Sequence, residues 1–462
     1  MIRIFRHYIS RAYFWLLILE FGVFFVAMMA GGVFRFITED PWYSDQEMAF
    51  ASVVFAAVLT FSCATMGLYR RSLSLEDYNL MARTCASFLI ATIGLILFYY
   101  FLPDLFIARS LLISAIVFAF LGFMLTRYLF YKYTNLEKFK RRVLVIGSGH
   151  KAKNLSSIND LFIHRGFTIV GFVALPDEFS VVDKSHAITS NKSINTITEQ
   201  YNVDEIVIAL DDNRRMMPLD ELLDCKMSGV TILDMMNFYE REQGIISLEN
   251  VHPGWLIYCD GFAQGGLRAV EKRIFDVLAS LTLFSIAWPI MMITALAIYL
   301  ESGFKGPIFY RQVRVGENNQ PFEVIKFRSM RTDAEKNGAQ WAQVKDSRVT
   351  RVGAFIRKTR IDELPQIFNV LNGDMSFVGP RPERPEFVSG FEERIPYYRE
   401  RHRVKPGITG WAQLCYPYGS GEQDTINKLQ YDLYYVKNYS MFLDLSIMFN
   451  TVEVVLWGRG AR

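Results

Sequence analysis

Residues 357–383, RKTRIDELPQIFNVLNGDMSFVGPRPE, place two adjacent carboxylates, Asp362 and Glu363, inside a basic frame. Arg357, Lys358 and Arg360 precede the pair, and Arg381 and Arg384 follow it. Carboxylates serve as covalent nucleophiles and as ligands for hard cations. Guanidinium forks grip phosphate through two oxygens at once, which an ammonium does not do. A plainer reading is open beside this one. Acids are common in the first turn of a helix, and the cations then form a solvated face or a contact to anionic headgroups.

The element that must position the pair is a short helix beginning near Asp362. Pro365 falls in its first turn, where the leading N–H groups have no intrahelical partner. Gly373 is placed to end it. Asp362 then sits at the positive end of the helix dipole, which favours the ionised form.

The chain of 462 residues has room for two or three domains. Its apolar residues are clustered. Four runs, at about 12–34, 48–69, 85–102 and 110–131, each approach the roughly 20 residues that cross a bilayer core. The first is too long for a signal peptide and lacks a small-residue cleavage pattern, so it reads as a retained span. Arg3, Arg6 and Arg11 precede the first run; Arg70, Arg71 and Arg83 lie between the second and third; Lys132, Lys138, Lys140, Arg141 and Arg142 follow the fourth. The other two loops carry Arg35 with Glu39, Asp40 and Asp45, then Asp104 and Arg109. By the positive-inside rule the N-terminus, and everything after the fourth run, is cytoplasmic. Glu20 lies within the first run, either as a functional acid or as the partner of a polar group on a neighbouring span. A net charge of +3 is too small to argue for nucleic acid. Cys63, Cys85, Cys225, Cys259 and Cys415 show no metal-site or disulfide spacing and read as reduced thiols.

A fifth apolar segment, 274–300, is long enough to span, yet it is basic on both flanks: Lys272 and Arg273 before, Lys305, Arg311 and Arg314 after. A crossing would put the second basic flank outside. Pro289 sits mid-segment, where it removes a helical hydrogen bond. A helix that enters, bends at Trp288-Pro289 and returns to the cytoplasmic face reconciles both features; a proline-kinked true span is the alternative. Between these membrane segments, RVLVIGSGHKAKNL (142–155) runs from an apolar strand into Gly147-x-Gly149-x-x-Ala152 and a helix, a loose dinucleotide fingerprint. With strand-like text at 203–210 and 228–235, it predicts a parallel, Rossmann-like sheet to about residue 240. Asp177 is the downstream acid such a site would use. Nucleotide binding and a purely structural module both remain open on this sequence.

From about 266 the chain carries three further blocks: FYRQVRVG with KFRSM, DELPQIFNVLNGDMSFVGPRPE, and KPGITGWAQ. Together these closely resemble the bacterial sugar transferases, the polyprenyl-phosphate glycosyl-1-phosphate transferases. The layout of four spans, a Rossmann-like domain and this domain looks like their large membrane-bound members. Residues 238–262, FYEREQGIISLENVHPGWLIYCDGF, resemble the subgroup associated with exopolysaccharide and exosortase-type gene clusters. The expected organisation is a four-span membrane bundle (1–135), a Rossmann-like cytosolic domain (141–250), a linker (251–265), and an α-rich monotopic catalytic domain (266–462) with its re-entrant helix at 274–300. Family members often carry Ser-Pro at the kink, where this chain has Trp288-Pro289.

The resemblance implies transfer of a sugar-1-phosphate from a UDP-sugar to undecaprenyl phosphate, with release of UMP and Mg²⁺ as cofactor. The aspartate of the family attacks the β-phosphorus, and the matching residue is Asp362. Glu363 is the natural metal holder, with Asp432 as a further metal candidate or a surface acid. Arg328, Arg381, Lys326 and Arg360 are the candidates for gripping phosphate. The site must lie at the cytoplasmic surface of the bacterial inner membrane, where a soluble donor meets an acceptor held among membrane lipids. Residues 439–457 are apolar but broken by Asp444, Asn450 and Glu453, so they suit an interfacial or packed helix. One rival is a membrane-anchored nucleotide-sugar dehydratase, which needs Tyr-x-x-x-Lys; Tyr434-x-x-Lys437 is one residue short. Another is a non-enzymatic assembly or regulatory protein, which would be expected to lose the acidic pair or the GPRP loop. The sugar and the glycan pathway are not legible, and a homodimer through the membrane or Rossmann-like region is compatible with the sequence.

Overall fold

A computed structural model describes the chain except for residues 1, 5–6, 10, 37–44, 70–77, 102–107, 134–139, 162–165, 176–179, 184–186, 189–192, 212–216, 252, 263–264, 333, 335–347, 417–418, 420 and 457–462. Of the residues singled out above, Asp177, Arg6 and the loop charges Glu39, Asp40, Arg70, Arg71, Asp104 and Lys138 lie outside the described part. The chain divides into two compact units, essentially residues 8–242 and 243–462.

Four apolar helices lead the first unit: α1 (Arg11–Phe36), α2 (Asp45–Thr65), α3 (Tyr78–Phe101) and α4 (Arg109–Tyr133). Each is long and apolar enough to cross a membrane, and the protein is a membrane protein. Lipid tails are as apolar as leucine, so such helices associate through close packing of small residues and through polar pairs. Both devices are present. A Cβ on Gly31 of α1 would lie 3.1 Å from the backbone nitrogen of Ala115 on α4. Glu20 of α1 pairs with Arg127 of α4 at 2.6 Å, and both side chains are fully buried. Arg127 also donates to the Leu68 carbonyl at 2.7 Å. Glu20 is therefore the partner of a polar group on a neighbouring helix, the second of its two expected roles.

The same unit contains a four-stranded sheet whose strands are all parallel: β1 (Arg141–Ile146), β2 (Phe167–Val173), β3 (Glu205–Ile208) and β4 (Thr231–Asp234), in the order β2-β1-β3-β4. Helices α5 (His150–Leu161), α6 (Ile194–Gln200), α7 (Leu219–Met227) and α8 (Met235–Gln243) accompany it. The glycine loop follows β1, where the strand order reverses, as the fingerprint predicts. Its donors are already engaged. The N–H groups of His150 and Lys151, which open α5, donate to the two carboxylate oxygens of Asp211 at 2.9 and 3.0 Å. A Cβ at Gly149 would run into that carboxylate. An acid of the chain thus occupies the helix N-terminus where a dinucleotide fold receives phosphate.

The second unit opens with a segment tied down at three points. Gly244 O accepts from the Trp411 indole at 2.8 Å, Ile246 N–H donates to Gln430 O, and Phe262 N–H donates to Lys437 O. After α9 (Pro253–Tyr258) comes α10 (Gly266–Glu301), 36 residues with Pro289 inside an unbroken helical run. Pro289 removes the N–H that would bond the Ser285 carbonyl, but the backbone keeps its helical course on either side. The bend expected at Trp288-Pro289 falls at this missing rung.

Following α10, strands β5 (Phe309–Val315) and β6 (Pro321–Phe327) form an antiparallel hairpin in which Tyr310 faces Lys326. Then come α11 (Arg351–Lys358), a 3₁₀ turn at Ile361–Glu363, α12 (Gln366–Asn372), β7 (Ser376–Val378), α13 (Pro385–Arg394), β8 (Gly407–Thr409), α14 (Trp411–Cys415), α15 (Glu422–Asn438) and α16 (Met441–Leu456). Strands β7 and β8 pair in parallel. Helix α16 is packed: Asp444 is fully buried, bonded to Lys272 at 2.6 Å and to the Tyr435 hydroxyl at 2.8 Å.

Candidate active site

The three sequence blocks converge because of how β5–β6, the 362–363 turn and β7–β8 are built. Strand side chains alternate faces, so Tyr310, Gln312 and Arg314 share one side of β5. The turn that carries the acids is held between α11, ending at Lys358, and α12. Arg360 takes a left-handed conformation (φ 61°) to make this junction. Helix α12 begins at Gln366 with Pro365 as its cap residue, and Gly373 (φ 93°) ends it. The acidic pair therefore lies in a 3₁₀ turn before the helix, not in its first turn. The GPRP segment is fixed by β7–β8: Gly379 N–H donates to Thr409 O at 2.8 Å and Gly407 N–H to Pro380 O at 2.9 Å. Glycine is required here, since a Cβ on Gly379 would lie 2.3 Å from Lys405 O.

Asp362, Glu363, Lys326, Arg328, Arg360, Arg381 and Asp432 all line one cleft of about 870 Å³. Among its described lining residues, eleven Arg or Lys side chains face four acids, so the cleft suits a polyanion. Glu363 is clamped: Oε1 accepts from Arg381 at 2.7 Å and from Lys326 at 3.2 Å, with Arg360 at 3.9 Å. Burial alone would raise its pKa, but Arg381 and Lys326 outweigh burial and hold the carboxyl well below the usual range. Burial also pushes the Lys326 ammonium down, against the pull of Glu363.

Asp362 is in the opposite state. Its Oδ1 is buried without a hydrogen-bond partner. Burial first, and the neighbouring Glu363 charge second, push its pKa up to about 6, against Lys326, Arg360 and Arg381. The helix-dipole reading favoured easy ionisation. Desolvation dominates instead, because the turn is folded into the cleft and the helix proper starts only at Gln366. Two adjacent carboxylates with pKa values driven apart are the pattern expected of groups with different chemical tasks.

The remaining candidates fall into two groups. Arg328 follows β6 and lines the cleft with no side-chain partner among the described residues, leaving its fork for a ligand. Asp432, expected as a metal contact, is 2% exposed and accepts from Arg401 Nε at 3.0 Å, with Arg401 Nη2 at 2.8 Å. Arg401 in turn donates to the Arg381 carbonyl at 2.9 Å and to the Tyr398 hydroxyl at 2.9 Å. Asp432 is thus linked through Arg401 to the backbone of Arg381. The sequence reading missed Arg401 and Arg314. Nothing local marks Arg401, but the period-two run Tyr310, Gln312, Arg314 was a readable signal. Arg314 bonds the Pro382 carbonyl at 3.1 Å and pairs with Glu383 at 3.5 Å, bracing the GPRP segment from the hairpin side.

No cluster of three or more His, Cys, Asp or Glu able to hold a metal ion exists among the described residues. The two-carboxylate set fits Mg²⁺ nonetheless, since that ion is commonly held by one or two carboxylates and takes its remaining ligands from water and substrate phosphates. All the side-chain polar contacts of Glu363 among the described residues fall on Oε1, and the preceding residue, Asp362, has a buried Oδ1 without a partner.

A profile of the bacterial sugar transferase family matches residues 267–458. A UDP-N-acetylgalactosamine-undecaprenyl-phosphate N-acetylgalactosaminephosphotransferase of Aeromonas hydrophila is 44% identical over 241 residues, 52% of this chain and 56% of the relative. An undecaprenyl-phosphate glucose phosphotransferase of Komagataeibacter xylinus is 33% identical over 357 residues, 72% of this chain and 62% of the relative. The exopolysaccharide production protein PSS of Rhizobium leguminosarum bv. phaseoli is 41% identical over 189 residues, 40% of this chain and 94% of the relative. The chain thus spans less than two thirds of the first two relatives and nearly the whole of the third. With its three motif blocks meeting at one cleft, and with these similarities, the chain belongs to the bacterial sugar transferase family.

Proposed function

We propose that the protein transfers a sugar-1-phosphate from a UDP-sugar to undecaprenyl phosphate, releasing UMP and initiating exopolysaccharide or related glycan synthesis. The observation that carries this reading is the divided acidic pair: a desolvated, unpartnered Asp362 beside a clamped, charged Glu363, in a cleft lined by cations. The relatives named for undecaprenyl-phosphate sugar phosphotransfer support the same chemistry.

In this mechanism the diphosphate of the donor is gripped by Arg328 and Arg381, with Lys326 and Arg360 at its flank. The Asp362 carboxylate attacks the β-phosphorus. Its O–P bond forms as the bridging P–O bond to UMP breaks, and UMP departs with the bonding pair. An oxygen of the lipid phosphate then attacks the same phosphorus, breaks the O–P bond to Asp362 and regenerates the carboxylate. The poor hydration that raises the pKa of Asp362 also leaves the ionised form a more reactive nucleophile. Glu363 would hold Mg²⁺, which when bound would neutralise charge gathered in the transition state.

Location follows from the two substrates. We read α1–α4 as spans of the bacterial inner membrane, the parallel sheet as a Rossmann-like cytosolic domain, and α10 as a re-entrant element with the cleft on the cytoplasmic face. What supports re-entry is that both ends of α10 are tied to polar groups of the same folded unit. Arg273 donates to the carbonyls of Val370 and Leu371 at 2.5 and 2.6 Å. Glu301 accepts from the N–H groups of Arg351 and Val352 at 2.8 and 3.1 Å. A straight crossing would place those two anchors on opposite sides of the bilayer. Purified protein incubated with Mg²⁺, undecaprenyl phosphate and a panel of UDP-sugars, including glucose and N-acetylgalactosamine donors, tests the reading. Release of UMP with at least one donor is expected; its absence across the panel would refute it.

A further inference from the structure

Beside the basic cleft lies a second cavity of about 500 Å³, walled almost wholly by apolar side chains. Trp288, Met291 and Met292 come from α10 at the level of Pro289, Phe309 and Phe327 from the β5–β6 hairpin, and Phe368 from α12. Its volume lies within the roughly 300–1,000 Å³ typical of small-molecule sites. An apolar cavity of this kind offers water few partners.

Two facts connect it to the chemistry. Phe309 and Phe327 line both cavities, and their rings stack with centroids 5.4 Å apart and planes 19° apart. Strand alternation sets Lys326 towards Glu363 in the cleft, while its neighbour Phe327 belongs to an apolar cluster with Met291, Phe368 and Leu364, the last of which also lines the cleft. Leu364 is the residue immediately after the acidic pair. A ligand with a phosphate head beside Asp362 and an apolar tail therefore meets its second environment one side chain away. On the α10 side the cavity stays open: Trp288 is 53% and Met292 65% exposed, so a long chain can pass on to the bilayer.

We infer that this cavity holds the head-proximal isoprene units of the polyprenyl phosphate acceptor, with the Phe309–Phe327 stack as the boundary between the phosphate and chain subsites. The inference rests on the phosphotransfer reading for the identity of the acceptor. It adds that acceptors are selected by the apolar units nearest the phosphate, leaving the distal chain in lipid.

The test uses the full-length protein in lipid nanodiscs and a polyprenyl phosphate carrying a photoreactive group on its first isoprene unit. Crosslinks are expected at residues 288–292, or at Phe309, Phe327 or Phe368, and are expected to be competed by undecaprenyl phosphate but not by phosphatidylglycerol. Crosslinks confined to other surfaces, or equal competition by phosphatidylglycerol, would overturn the inference. Crosslinking is read without turnover, so a protein that releases no UMP yet labels here refutes the reaction and not the chain site. In turnover assays Trp288→Ala should raise the acceptor KM about tenfold, with the donor KM and the acceptor-independent UMP burst unchanged. Trp288→Leu, which keeps a shorter apolar wall, should give an intermediate KM. An unchanged acceptor KM in both variants counts against the site.

Discussion

Replacing Asp362 by Asn should abolish transfer and, at neutral pH, make the protein more stable. A carboxyl that ordinarily titrates at 3.8 and here at about 6 is charged in the folded state at a cost of up to about 3 kcal/mol, taking about 1.4 kcal/mol per tenfold change in proton affinity. Burial of the unpartnered Oδ1 is the main source of that cost. The folded state holds this proton more tightly than the unfolded chain does. The penalty is therefore absent below the ordinary carboxylate range, grows between about pH 4 and 6, and is complete above 6. Asn carries no charge and removes it. Each kcal/mol is worth roughly 2–4 °C for a unit the size of the catalytic domain, so Asp362→Asn should melt several degrees above the parent at pH 7.5 and level with it at pH 4. Glu363→Gln has the opposite sign, because it strips Arg381 and Lys326 of their partner. The assay is thermal unfolding of both variants across that pH range. An Asp362→Asn protein less stable than the parent at pH 7.5, or equal to it at every pH, would refute the premise that the Asp362 charge is held at a cost.

Four further outcomes follow from the contacts described above. Initial rates should fall about tenfold per pH unit below 6, as Asp362 takes up its proton; a flat profile from pH 5 to 7 would contradict the assignment, and Asp362→Asn serves as the blank. Asp432→Asn should lower kcat and reduce stability by about 3–5 kcal/mol, because Arg401 loses its buried partner and no longer holds the Arg381 carbonyl. The Mg²⁺ dependence should stay unchanged, whereas a raised Mg²⁺ requirement would mark Asp432 as a metal ligand. Asp211→Ala should cost about 1–2 kcal/mol in thermal stability by freeing the N–H groups of His150 and Lys151. Calorimetric titration of the parent with NAD or ADP should show no binding at the glycine loop, since that carboxylate fills the anion site.

What was legible in the sequence were features carried by local pattern. Apolar run length located α1–α4 to within a few residues at most ends. The glycine fingerprint, a strand–turn–helix signal, placed the start of a parallel sheet. The three blocks carried Lys326, Arg328, Asp362, Glu363 and Arg381 to one cleft, where Arg360 and Asp432, outside the blocks, join them. The illegible features were pairings between residues far apart in the chain. The Arg127 partner of Glu20, the Arg401 partner of Asp432 and the Asp211 cap on α5 have no periodicity to betray them, since each depends on tertiary packing. The ionisation of Asp362 was misread for a related reason: a helix dipole can be read from sequence, but desolvation cannot.

The most direct measurement is single-turnover mass spectrometry: the protein is mixed with a UDP-sugar in the absence of lipid acceptor, quenched and digested. The account predicts one UMP released per active site and a phosphosugar adduct on the peptide carrying Asp362, discharged when undecaprenyl phosphate is added. UMP release that requires the acceptor, or an adduct on any other residue, would contradict it.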